Sequence, residues 1–173
     1  MLSLGSSILA GSPPNRIPPG TDPELDETAA VSRKPVRVLL AEDNAADVMV
    51  VEEILSHQNA SFDIVVASDG QQAIDIVRQL DHDPNTPGFD IALVDLNLPK
   101  HTGHDVLAEV RRAKRSSRIP VIIVTSSRSP NDIRRARELG ATEYFEKVAD
   151  LEAYSQLGPL VVQTVQNNRG SRS

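Results

Sequence analysis

Glu42 and Asp43 directly follow a short apolar run, Asp95 ends a second, Thr125 ends a third, and Lys147 ends a weaker fourth. Taken singly most of these mean little: an acidic pair after a strand more often caps a helix than binds a ligand. Asp95 differs because it closes the buried run Ile91-Ala92-Leu93-Val94, where an unpartnered carboxylate is costly. If those runs are adjacent strands, three carboxylates share one rim, and two unit charges ~4 Å apart repel by about 4 kcal/mol at an effective dielectric of 20. A divalent cation relieves that conflict. Carboxylates with a carbonyl and waters suit Mg2+ (or Mn2+), whereas a rim without histidine, in a chain without cysteine, is a poor zinc site. An aspartate beside such a cation can attack a phosphoryl donor and become an acyl phosphate. Lys147 would then meet the phosphoryl oxygens as a point charge and Thr125 as a hydroxyl donor.

The elements that must position these residues are legible in the patterning. Strand candidates are Val36–Ala41, Phe62–Ala67, 89–94, 120–124 and a weaker 142–146. Between them apolar residues recur at helical spacing: Val48, Val51, Ile54 and Leu55; Ala73, Ile74, Val77 and Leu80; Val106, Leu107 and Val110. Ser129-Pro130-Asn131-Asp132 opens a fourth helix and Gly140 stops it. A last helix is predicted over about 149–168, kinked near its middle by Gly158-Pro159. Five β/α units with right-handed crossovers predict an α/β, doubly wound five-stranded parallel sheet of strand order 2-1-3-4-5. Ligands of such a sheet bind at the carboxyl ends of the strands, here between strands 1 and 3.

The 173-residue chain has a net charge of −6, only 3% aromatic residues and no cysteine, so its core must be built from Val, Ile, Leu and Ala. That balance argues against capture of nucleic acid. Arg134, Arg135 and Arg137 form the densest basic cluster, expected to be a solvated helix face. No apolar run reaches the ~20 residues of a membrane span, no signal peptide is expected, and a reducing cytoplasm is compatible with the absent cysteines. Residues 1–34, holding five of the twelve prolines, read as a flexible leader; 35–168 as the domain; 169–173 as a polar tail. No output domain is expected.

The sequence resembles the receiver domains of two-component response regulators. The matching segments are Val38-Leu39-Leu40-Ala41-Glu42-Asp43-Asn44, Leu93-Val94-Asp95-Leu96-Asn97-Leu98-Pro99 with Gly103, Ile119-Pro120-Val121-Ile122-Ile123-Val124-Thr125-Ser126, and Gly140-Ala141-Thr142-Glu143-Tyr144-Phe145-Glu146-Lys147. The resemblance implies a flavodoxin-like receiver fold and a single-domain response regulator, not an enzyme beyond its own phosphorylation and dephosphorylation. It implies Asp95 as phosphoacceptor, Asp43, Asp95 and the Asn97 carbonyl on the metal, Glu42 reaching it through water, and Thr125, Tyr144 and Lys147 as the switch and phosphoryl-contacting residues. The partner implied is a histidine kinase. Asn97-Leu98-Pro99-Lys100 and the long loop before strand 3 are most similar to regulators paired with bacterial phytochromes, so a phytochrome is the narrower expectation.

One departure is Val148, where the family has a proline after the lysine in a cis bond. A non-proline cis bond costs ~3–4 kcal/mol, so Lys147-Val148 is expected to be trans. An aspartyl phosphohydrolase would want an acid where Asn97 stands, and a nucleotide binder would want a Gly-rich loop where Glu42 and Asp43 stand. A receiver fold serving only as a constitutive protein-binding module stays open. With no output domain expected, signalling is expected through the face of the fourth helix, fifth strand and last helix. There Ile133, Tyr154 and Leu157 would contact a partner or a second copy of the chain.

Overall fold

A computed structural model describes residues 34–171. Its elements run β1 (Val36–Ala41), α1 (Ala45–Ser56), β2 (Phe62–Ala67), α2 (Gly70–His82), β3 (Ile91–Val94), α3 (Gly103–Arg112), β4 (Val121–Thr125), α4 (Pro130–Glu138), β5 (Glu143–Glu146), α5 (Leu151–Ser155) and α6 (Leu157–Gly170). All strands pair in parallel in the order β2-β1-β3-β4-β5, as expected. The sheet is covered on both faces, which is why its inner strands read as unbroken apolar runs rather than alternating ones. Leu39, Ala92, Val94, Val121 and Ile123 pack with Leu80, Leu107 and Ala136 on one face. Val38, Leu40, Ile91, Leu93 and Ile122 pack with Val51, Leu55, Leu157 and Val161 on the other.

The helices begin where their caps dictate. The side chains of Asn44, Asp69, Thr102, Ser129 and Asp150 each accept a hydrogen bond from a backbone N–H of the first turn, and Thr102 with Asp105 completes a reciprocal capping box.

β4 and β5 each start one residue later than expected, and two boundaries differ by more than that. Strand 3 starts at Ile91, and the residues before it hold the start of β1 through side chains: the Arg37 guanidinium lies 4.9 Å from the Phe89 ring centroid, and the Arg37 N–H donates to the Asp90 carboxylate at 2.9 Å. The last helix is not one kinked rod. It breaks at Gln156, and Gly158 and Pro159 fall in the first turn of α6, where a missing N–H leaves no intrahelical bond unmade. That helix continues to Gly170, and Arg169 donates to Asp90 at 3.0 Å. The leader assigned to residues 1–34 lies outside the described residues except for Lys34, as do the last two residues of the tail.

Candidate functional site

Strand register assembles the site. Ala41 pairs with Val94, so the next residues, Glu42 and Asp95, emerge side by side at the carboxyl edge, and the Asp95 N–H donates to the Ala41 carbonyl at 3.0 Å. Thr125 pairs with Glu146, which brings Lys147 to the same edge, its N–H donating to the Thr125 carbonyl at 2.8 Å. Carboxylate oxygens of Glu42, Asp43 and Asp95 lie within 4.8 Å of one another; Glu42 and Asp95 are buried and Asp43 is exposed.

Two glycines allow the surrounding loops to close on the site. A Cβ on Gly103 would run into the Asp95 backbone, and one on Gly70 would run into the His101 carbonyl. Gly103 therefore lets α3 start against the Asp95 backbone, while Gly70 lets the loop after β3 lie against α2. The Gly70 N–H donates to the Pro99 carbonyl at 3.0 Å and Lys100 pairs with Asp69 at 2.7 Å, so the loop carrying Asn97 is anchored on α2. The Asn97 N–H donates to Asp95 Oδ1 at 3.0 Å.

Lys147 reaches into this cluster. Its Nζ lies 2.8 Å from Asp95 Oδ2, 2.5 Å from Glu42 Oε2 and 2.9 Å from Asp47 Oδ2. Burial works against the ammonium, but hydrogen bonds to Asp47, Asp95 and Glu42 together outweigh it and hold the Lys147 pKa above its ordinary range. Burial also pushes the Glu42 carboxyl upward, against the hydrogen bonds from Lys147 and Asn44. No cis peptide occurs among the described residues, so the Lys147-Val148 bond is trans and the long lysine stem suffices.

Among the described residues, Lys147 is the one ammonium in this cluster, paired with Glu42, Asp47 and Asp95, and with Asp43 beside them the carboxylates leave a surplus of negative charge. All oxygen donors are hard, with no His or Cys in the cluster, and the donor set fits magnesium or manganese. These residues line an open cleft of about 430 Å³ together with Asn44, Asn97, Ser126, Val148 and Tyr154.

The model of the response regulator receiver domain matches residues 38–157. The chain belongs to the response regulator receiver family. This receiver domain is 34% identical over 121 residues to the response regulator Rcp1 of Synechocystis, covering 70% of the chain and 82% of Rcp1. Among solved structures it is similar to the phosphorylated cyanobacterial phytochrome response regulator RcpA, with 32% identity, a TM-score of 0.67 and coverage of 74% of this chain and 91% of RcpA. The Mn2+-bound form of Rcp1 is similar at 31% identity and a TM-score of 0.66, covering 73% and 91%.

Within the receiver domain, the structure brings Glu42, Asp43, Asp95, Asn97 and Lys147 around the cleft. Thr125 is fully buried at the end of β4, its hydroxyl accepting from the Ser127 N–H at 3.3 Å. Tyr144 stands away from the cleft, its hydroxyl donating to the Ser127 carbonyl at 2.9 Å. Ser127 therefore contacts both.

Two cleft residues were missed in the sequence. Asp47, in the first turn of α1, reads as an acid favoured by the helix N-terminus, although an acid one turn into the helix after strand 1 must face the same rim. Tyr154 was assigned with Leu157 to an exposed contact face, and the structure corrects this: both belong to the core beneath the sheet, 5% and 0% exposed. Their spacing with Val161 and Val165 is that of a buried helical stripe. Of the three residues placed on that face, only Ile133 is partly exposed.

Proposed function

We propose that this receiver domain takes a phosphoryl group from a histidine kinase onto Asp95 and signals through a changed protein-binding face. The observation that carries this is the register of Ala41 with Val94, which sets Asp95 beside the acidic pair while Lys147 Nζ stands 2.8 Å from its carboxylate. An Asp95 oxygen would attack phosphorus on a phosphohistidine; the new O–P bond forms as the N–P bond breaks, and the imidazole leaves with the electron pair. Lys147 pairs with the phosphoryl oxygens, and the Thr125 hydroxyl moves to donate to them.

Asp43, Asp95 and the Asn97 carbonyl would hold a magnesium or manganese ion, with Glu42 reaching it through water. When bound, that ion neutralises charge on the transferring group. RcpA is named a phytochrome response regulator, and the similarity to it favours a phytochrome as the kinase, acting in the cytoplasm.

Movement of Thr125 disturbs Ser127, and Ser127 holds the Tyr144 hydroxyl, so the face of α4, β5 and the α5–α6 segment that replaces the expected last helix is the proposed output surface. Its occupant would be a second copy of the chain or a downstream protein, without nucleic acid or membrane. Ile133 and the exposed Leu151 are among the apolar residues available there.

Incubation with acetyl phosphate and magnesium tests the reading. Intact mass should rise by one phosphoryl group in the wild type and stay unchanged in Asp95→Asn, with sedimentation following any change in assembly. Labelling of Asp95→Asn at wild-type levels overturns the assignment. A wild-type chain that gains no mass would leave a constitutive binding module.

A further inference from the structure

Tyr154 sits where an apolar side chain would suffice. Its ring stacks on Phe145 with centroids 5.8 Å apart and planes inclined by 24°, and it packs with Val51, Leu55 and Leu157. Yet its hydroxyl is buried without a hydrogen-bond partner among the described residues, and the side chain lines the cleft shared by Glu42, Asp47, Asp95 and Lys147. Burial pushes the phenol up to about 12, with Lys147 opposing and Asp47, Glu42 and Asp95 adding to the rise, so the hydroxyl keeps its proton and is a donor. Buried polar groups without partners are rare because each forfeits its hydration, and phenylalanine would make the same stack without that cost. The hydroxyl therefore points to a second arrangement of the site in which it has a partner.

The geometry of Lys147 says which partner. An ammonium has three protons, and here all three are taken, by Glu42, Asp47 and Asp95. A phosphoryl group on Asp95 brings new oxygens that compete for the same ammonium, and of its carboxylate partners Asp47, 29% exposed against 3% for Glu42 and 8% for Asp95, is the one released at least cost. Glu42 keeps the backbone N–H of Asn44, and Asp95 keeps that of Asn97. Asp47 is held by Lys147 and lines the same cleft as Tyr154, so on release it lies in the cleft that the unpartnered phenol also lines.

We propose that Tyr154 is a positioning residue for the phosphorylated state: its hydroxyl takes over the Asp47 carboxylate and so frees Lys147 for the phosphoryl group. This rests on Asp95 being the phosphoacceptor. The orphan hydroxyl destabilises the resting form and is satisfied only in the phosphoryl-bearing form, so the one group acts on the two states with opposite sign.

Tyr154→Phe removes the hydroxyl and preserves the stack. The probe is beryllium fluoride with magnesium, which mimics a phosphoryl group on a carboxylate, titrated by calorimetry. Affinity in Tyr154→Phe should fall by roughly tenfold, the scale of a hydrogen bond to a charged group, while the melting temperature of the resting protein stays level or rises. In an Asp47→Ala background the same change should have no further effect on affinity. Three results overturn the proposal: equal affinity in Tyr154→Phe and wild type, a parallel loss of resting stability and affinity, or an undiminished effect when Asp47 is absent. A wild type that neither binds the mimic nor gains a phosphoryl group from acetyl phosphate removes the phosphoacceptor reading itself, and the proposal with it.

Discussion

Removing the Asp43 carboxylate should make the metal-free protein more stable and the metal-loaded protein less so. Asp43 offers an oxygen within 4.8 Å of oxygens on both Glu42 and Asp95. At that spacing each pair repels by about 3.5 kcal/mol at an effective dielectric of 20 and by about 0.9 kcal/mol in bulk water. Because Asp43 is exposed, the value nearer water applies, giving roughly 2 kcal/mol for the two pairs together at low salt. Attraction to Lys147, which lies against both partners, offsets part of this.

The net expectation is that Asp43→Ala stabilises the metal-free protein by about 1 kcal/mol, or ~3 °C in melting temperature for a domain of this size. Magnesium reverses the order. At ten times its dissociation constant a ligand adds about 1.4 kcal/mol to the protein that binds it, and Asp43→Ala should lose most of that gain. Thermal melts in EDTA at low ionic strength, followed by magnesium titration, give both quantities. The gap measured in EDTA should shrink in ~1 M salt, where the screening length falls to ~3 Å. A lower melting temperature for Asp43→Ala in EDTA, or an equal magnesium gain in both proteins, refutes the electrostatic account of the cluster.

Glu42 should impose a pH dependence of definite sign. Burial raises its folded pKa above the ordinary 4.5, so its contribution to stability is fully present below that value and is lost as pH rises through the folded pKa. Melts in EDTA should therefore show the wild type losing stability relative to Glu42→Gln as pH is raised from about 4 to about 7, and a gap independent of pH contradicts it. Gly70→Ala forces the loop after β3 away from α2, since its Cβ would meet the His101 carbonyl. We expect a loss of roughly 2 kcal/mol in urea unfolding together with weaker magnesium binding, because Asn97 rides on that loop; wild-type values for both would show that the anchor is dispensable.

The alternation of apolar runs with helical stripes was enough to determine the sheet, its strand order and the rim on which Glu42, Asp43, Asp95, Thr125 and Lys147 gather. Parallel strands buried on both faces leave little freedom in where a run lies, and the crossover rule leaves little in how runs are joined. A chemical type at a strand end is therefore readable before any coordinates exist.

What the sequence left undecided depends on side chains with two characters or long reach. Helical spacing shows that Tyr154 lies on an apolar stripe, but not whether its polar tip meets solvent or the acidic cluster, because an amphipathic ring can serve either. Lys147 could have paired with any acid within the span of its four-carbon stem. Only the packed structure placed Asp47 third among its partners and left the Tyr154 hydroxyl without one. The break at Gln156 likewise escaped the pattern, since Pro159 marks a forbidden helix interior and a permitted first turn equally well, and the choice between them is made where α5 and α6 meet.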